Sequence, residues 1–567
     1  MAQLVAHLLC KQGVRGSSPL RSTEFRYETI DPPVRSSRYG HEAEFGGSWA
    51  GPSAVYVSGV TRPPAPNVDS TPLDGSYIDI PARIGWLQRI WRQASDLTIG
   101  DMSAALSEQG LKISIAALSG YERTGTRDGW LIDGYEEALG LPAGQLRCPI
   151  DLTCDMFDES PKDRRPQLRS VVTLEAFDQA YAAVAGAAPA GSDWYRFARM
   201  LGGPASAGTA TVWALPSELV APLAARLLGE VVRGVGLAYM TRLEATSMLQ
   251  ASIYQPVVER VVREMVADEG AQSVMINALC AVADHPSPEL LAWTATLLSH
   301  PSPWAVVAAS YALQSMRTAA TLAAGDWAAV VPEFVKASRL PDSSYTCKVA
   351  LTELFKNLPP EIRVQISPEL ETPLEPVHAP ESWQASRRNR HYALCTQIGQ
   401  ALADEAGLGD QPMLARMIFE LVYDFRGPRR SAAAHLLMCS PVVDALEIRL
   451  LELIEGDFDE ATRTGAMRGL HFVQAGRVTD ATQAWFDRSQ PWRIPSALVI
   501  AGNAGVRLPD AIVDLVVDDG EESLRIVEAL GMTRHPALES LHRDTTRTPQ
   551  LRSVAGWWLD RGGRVAR

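Results

Sequence analysis

Between residues 78 and 147 the chain repeats a pattern of short apolar stripes separated by polar caps. Ile84, Leu87, Ile90, Trp91 and Ala94 recur at three- and four-residue intervals, the spacing that gathers side chains on one face of an α-helix, with Arg89 and Arg92 on its flanks. Thr98 with Asp101 three residues later is a capping-box pattern, so a second helix is predicted to start there and to bury Met102, Ala105 and Leu106. Gly110 permits a turn, Ser114 can cap a third helix that runs through Leu118 to Glu122, and Gly125 ends it. A fourth helix is predicted over 131–139, closing at Gly140-Leu141-Pro142.

Downstream, 148–193 reads as a linker with prolines, mixed charges and one helix at 174–184. Beyond it an Arg followed three or four residues later by Ala recurs inside apolar helical segments: Arg242/Ala245, Arg390/Ala393, Arg430/Ala433, Arg463/Ala466, Arg493/Ala497, Arg525/Ala529 and Arg552/Ala555. The last five copies are about thirty residues apart, the period of helical repeats. A lone helix pair cannot bury both its faces, whereas stacked pairs share a core and put small residues where helices cross. The expected fold class is therefore all-α: a front module of four to five helices, then an α-solenoid over 194–560 and a short tail at 561–567. A non-repeating domain of Ala-rich helices is the alternative. Trp557-Trp558 would cap the last repeat.

Residues 1–77 are rich in Gly, Pro, Ser and Arg with no sustained apolar period, and are expected to be disordered. The first two dozen resemble the conceptual translation of a transfer-RNA gene, which marks them as a spurious extension. A basic tail that touches DNA is the other reading.

Composition narrows the function classes. Of the 567 residues 46% are hydrophobic, enough for several cores, and the net charge of −13 argues against a surface that coats nucleic acid or anionic membrane. Any nucleic-acid contact must be local. The seven cysteines show no zinc-type spacing and read as buried apolar residues of a reduced, cytoplasmic protein. Residues 290–316 carry no formal charge, but His300-Pro301-Ser302-Pro303 breaks the run, so no membrane span is expected. His285 and His300 sit in matching His-Pro-Ser-Pro turns and read as turn caps rather than metal ligands. The chain has no phosphate loop, metalloprotease helix, nucleophile elbow or kinase signature, which argues against an enzyme and leaves no catalytic residue, cofactor or metal to assign.

Leu97-Thr98, Met102-Ser103, Ile113-Ser114, Leu118-Ser119 and Tyr121-Glu122-Arg123 resemble the Xre-type (Cro/lambda-repressor-like) helix-turn-helix pattern over 78–147. The resemblance implies a bacterial-type DNA-binding transcriptional regulator, with 114–122 as the recognition helix. Thr98, Lys112, Arg123 and Arg127 would contact phosphate, Ser114, Ile115, Ala116 and Ser119 would face the bases, and Arg92 would form a structural pair with Glu122. The sequence departs from the family where Ile99 replaces a polar residue and Gly120 a basic one, and Ile115-Ala116-Ala117 offers bases no bidentate hydrogen bond. The Arg–Ala recurrence, with Pro428, Pro491 and Pro549 just upstream, resembles HEAT repeats. Together these imply that double-stranded DNA binds the front module of a homodimer, while the repeats mediate dimerisation or sense a protein or small ligand. The alternative is a protein-interaction scaffold that keeps a degenerate helix-turn-helix and binds no DNA.

Overall fold

The computed structural model describes residues 65–157, 172–202, 214–317, 322–339, 345–370, 383–474, 476–478, 481–487, 490–517 and 520–566. The expectations for residues 1–64 lie outside these. Among the described residues the fold is all-α, and β-structure is confined to one isolated bridge, Gly234 to Val565. Also among them, no helix is long and apolar enough to cross a membrane.

Five helices form the front: α1 Ile80–Ala94, α2 Ile99–Glu108, α3 Ile115–Thr124, α4 Gly129–Ala138 and α5 Arg147–Asp155. Next come α6 Leu174–Ala185, α7 Gly191–Gly202, α8 Ser217–Val231, α9 Gly236–Gln250, α10 Gln255–Ala267, α11 Met275–Cys280, α12 Pro288–Thr296, α13 Pro303–Met316, α14 Val330–Ser338 and α15 Tyr345–Asn357. The last third holds α16 Pro360–Ile366, α17 Ala385–Glu405, α18 Pro412–Tyr423, α19 Gly427–Met438, α20 Val443–Glu455, α21 Glu460–Leu470, α22 Ala481–Ala484, α23 Ile494–Ala504, α24 Glu521–Met532, α25 Ala537–Arg543 and α26 Pro549–Arg561.

Local signals set many of the boundaries. The Asp79 side chain accepts from the Ala82 amide to start α1, and Thr98, Ser114, Asp128 and Thr173 cap α2, α3, α4 and α6 in the same way. Residues 290–316 divide into α12 and α13 at the prolines, where the His300 ring nitrogen accepts from the Ser302 amide.

Several consecutive helices pack on one another, among them α8 on α9, α17 on α18, α20 on α21 and α25 on α26, and others touch in series: α11 on α13 on α15, and α21 on α23 on α24 on α26. Ala245, Ala433, Ala466, Ala497, Ala529 and Ala555 are all buried, as close helix crossing requires. Arg390/Ala393 does not fit the pattern, because Ala393 lies exposed on α17.

The last helix folds back on earlier parts of the chain. α26 packs against the short 3-10 helix Glu269–Val274, and Trp558 donates its indole N–H to Ser273 Oγ at 3.2 Å. Of residues 561–567, read from sequence as a tail, the described ones are tied in: the Val565 amide donates to Arg233 O at 2.8 Å and its carbonyl accepts from Val235 at 3.0 Å. Trp557 and Trp558 are buried in an edge-to-face pair, ring centres 5.1 Å apart.

Two segments, one expected as a linker and one as disordered, contribute to the core. In the expected linker, α5 buries Cys148, Ile150, Leu152 and Cys154 between α9 and α19; Pro149 does not break it, because proline is tolerated in a first turn. The expectation of disorder as far as residue 77 fails for 66–77, where Asn67 and Asp69 are buried. Asp69 accepts from Arg83 Nε and Nη2 at 2.9 and 2.7 Å. The Arg426 and Arg429 guanidiniums both donate to Gly75 O, and Arg426 also donates to Leu73 O at 2.6 Å. A Gly/Pro/Ser-rich strip has no period to read, yet its backbone carbonyls satisfy buried arginines.

Candidate nucleic-acid interface

α3 is anchored on one side and open on the other. Leu118 and Glu122, four residues apart on one face, are buried, while Ser114, Ile115, Ala116, Ala117, Ser119 and Arg123 are exposed, Ile115 to 54%. The Ser114 hydroxyl accepts from the Ala117 amide at 3.2 Å, so the N-terminus of α3 is closed by its own cap.

The anchor is a charge pair. Arg92 on α1 binds Glu122 bidentately, Nε to Oε1 at 2.6 Å and Nη2 to Oε2 at 2.7 Å, and its Nη1 donates to Leu97 O at 2.6 Å. From α4, the Tyr135 hydroxyl donates to Glu122 Oε1 at 2.9 Å, so one carboxylate joins three helices. Burial works against the Arg92 charge, but Glu122 outweighs it and holds the guanidinium pKa above its ordinary range. Burial, together with the Glu122 charge, pushes the Tyr135 phenol far up.

α1 and α3 cross at two glycines. A Cβ on Gly85 would stand 2.6 Å from Glu122 O. At Gly125 it would stand 1.7 Å from Pro81 O, at a φ of +73°. Asn67 finishes the end of α3, donating to Glu122 O at 2.8 Å and Arg123 O at 3.2 Å. No sequence signal pointed to Asn67, whereas the helical period of α4 places Tyr135 inward.

The four expected phosphate contacts divide. Lys112 and Arg123 are exposed. Thr98 is exposed too, but its hydroxyl donates to Asp101 Oδ2 at 2.6 Å and its amide donates to the same oxygen at 2.9 Å. That carboxylate already occupies the positive end of α2, and the hydrogen bonds from Thr98 lower its pKa. Arg127 is half-buried and its charge acts inward, on Asp151 of α5. Asp96, Asp101, Glu108 and Asp128 are also exposed around this face, so its basic character rests on few side chains.

The opposite side of the front module is held by the array. Trp86 donates its indole N–H to Gln411 Oε1 at 3.0 Å, and Trp91 donates to Cys439 O at 2.7 Å. Between them lies a cluster of buried charges. Glu420 Oε1 on α18 accepts from Arg83 at 2.8 Å, Arg416 at 2.8 Å and Arg429 at 2.6 Å, and Asp424 pairs with Arg426 at 2.7 Å and Arg429 at 3.3 Å. Burial alone would raise the Glu420 pKa; three arginines hold it below the usual range. Among the described residues no group of three or more His, Cys, Asp or Glu is disposed to hold a metal.

No protein-family model matches the chain, and no curated protein matches it. Among solved structures it is similar to the crystal structure of an engineered protein, 16% identical over 73% of this chain and all of that one, with a TM-score of 0.20.

Proposed function

We propose that the chain is a DNA-binding transcriptional regulator. Its front module acts as a helix-turn-helix that lays α3 in the major groove, and HEAT-like stacked pairs behind it carry dimerisation or effector sensing. The observation that carries the reading is the two-sided α3: Leu118 and Glu122 lock it from behind, while Ser114, Ile115, Ala116 and Ser119 stand open to solvent. A helix walled off by its own chain could not enter a groove. The Xre-type motif between Leu97 and Arg123 gives that helix its role, and the buried alanines of the Arg–Ala recurrence support the repeat reading.

Lys112 and Arg123 are the phosphate contacts this geometry favours, since Thr98 is tied to Asp101 and Arg127 is half-buried. One small module buries too little surface for high specificity, so the operator is expected to hold two half-sites read by two copies. The test is anisotropy of labelled duplexes from the region upstream of the protein's own reading frame, measured across a salt series. Lys112→Ala and Arg123→Ala should each weaken binding to all duplexes and lower the salt slope by about 1. An unchanged slope in both variants would remove these residues from the interface.

The apolar character of Ile115, Ala116 and Ala117 favours a second reading, in which the same face docks on a protein. A wild-type chain that holds no duplex even at low salt would select that scaffold.

A further inference from the structure

α11 and α13 face α23 and α24 across a small cleft that opens to solvent and leaves about 50 Å3 free for water-sized groups, room for a small ligand or a few waters. Its walls include Leu498 and Met532, and its polar groups are Asn277, Trp304, Arg525 and Glu528. Two of these are incomplete. Trp304 is 6% exposed and Asn277 4%, yet among the described residues the indole N–H of Trp304 and the amide oxygen of Asn277 have no hydrogen-bond partner. A buried donor or acceptor left unmade is costly, so an orphaned donor and an orphaned acceptor at one cleft together specify a ligand that offers both.

The charges give the same specification. Arg525 and Glu528 are three residues apart on one face of α24, and the Arg525 guanidinium lies over the Trp304 ring, 5.8 Å from its centre. Burial pushes the Glu528 carboxyl up to about 7, with Arg525 pulling against it, so a cation beside Glu528 would restore its charge. A pure anion would lie against Glu528 and a pure cation against Arg525, whereas a molecule carrying both charges meets both residues.

The geometry points to a binding site for a small zwitterion with an apolar side chain, a free α-amino acid, in the cleft between α11, α13, α23 and α24. Its carboxylate is taken by Arg525 and the Trp304 N–H, its ammonium by Glu528 and the Asn277 amide oxygen, and its side chain by Leu498 and Met532. The site does not rest on DNA binding, and its test is read without DNA.

Calorimetry and thermal melting of the full chain with L-valine, L-leucine, L-methionine and L-phenylalanine test it, with 4-methylpentanoate and isopentylamine as one-charge controls. At least one amino acid should release heat and raise the Tm, and neither control should match it. Glu528→Gln and Trp304→Phe keep shape while removing one charge or one donor. Each should weaken that amino acid about tenfold or more while the ligand-free Tm stays near wild type. If a variant lowers that Tm, the wild-type comparison with the two controls decides alone. The proposal is overturned if none of the four amino acids binds at about 10 mM, if either control binds as tightly, or if both variants melt like wild type and bind unchanged.

Discussion

The two faces of the front module differ in kind. Outward, α3 shows Ile115, Ala116, Ala117 and Ser119 to solvent, with Lys112 and Arg123 as the exposed basic side chains of the front module among the described residues; inward, α1 is buried on both sides, by α3 and by α18 and α19. The inner face holds a cluster of buried, mutually paired charges, and the outer face carries exposed charges of both signs and local caps. The front module is thus not a bead on a string. Whatever moves α18 and α19 moves α1, and α1 carries α3 through Arg92–Glu122.

The comparison breaks most severely at Glu420. Glu420→Ala leaves Arg83, Arg416 and Arg429 facing one another without their shared acceptor, and removing one partner from a buried ion cluster costs about 3–5 kcal/mol. Chemical denaturation should show that loss. If Glu420→Ala unfolds within about 1 kcal/mol of wild type, the inner face is not held by this cluster.

Gly125→Ala comes next. A side chain there meets Pro81 O in a backbone conformation that glycine alone adopts readily, so about 3 kcal/mol should be lost. Gly120→Ala on the same helix, where an added Cβ meets nothing, should be neutral or slightly stabilising. Equal losses at the two sites would mean that α1 and α3 do not cross at Gly125.

The contrast also explains what could be read from sequence. Caps act over three residues, so Thr98, Ser114 and Thr173 announce α2, α3 and α6, and recurring alanines announce close helix crossings. The inner face depends on partners far apart in the chain: Arg83 meets Glu420 across 337 positions, and neither residue carries a local mark of the other. The contact between Arg233 and residues 561–565 escapes for the same reason. At the outer face, motif positions name residues but not rotamers, so nothing in the sequence shows Thr98 turned to Asp101.

A smaller effect separates the faces by pH. Burial opposes the Asp69 charge, but Arg83 and Thr71 bring its pKa from 3.8 down to about 2. A carboxylate whose folded pKa lies below its unfolded one stabilises the fold above the unfolded value, and loses that contribution as pH falls through the folded value. The stability gap between wild type and Asp69→Asn should therefore shrink by about 2 kcal/mol between about pH 5 and pH 2. A gap that does not change with pH would show that Asp69 is not ionised against Arg83.

The smallest effect on stability is expected at the outer face, where it is also the most informative. Ile115 is 54% exposed, so Ile115→Glu should change unfolding free energy by no more than about 0.5 kcal/mol. The same change brings a carboxylate to the helix face proposed to enter the groove, where it would meet phosphates and base acceptors, so duplex affinity should fall at least tenfold. Stability and binding then separate at one residue. If Ile115→Glu leaves duplex binding intact, α3 is not the helix that reads DNA; if it destabilises the fold as Glu420→Ala does, the face is not open and the contrast between outer and inner surfaces fails.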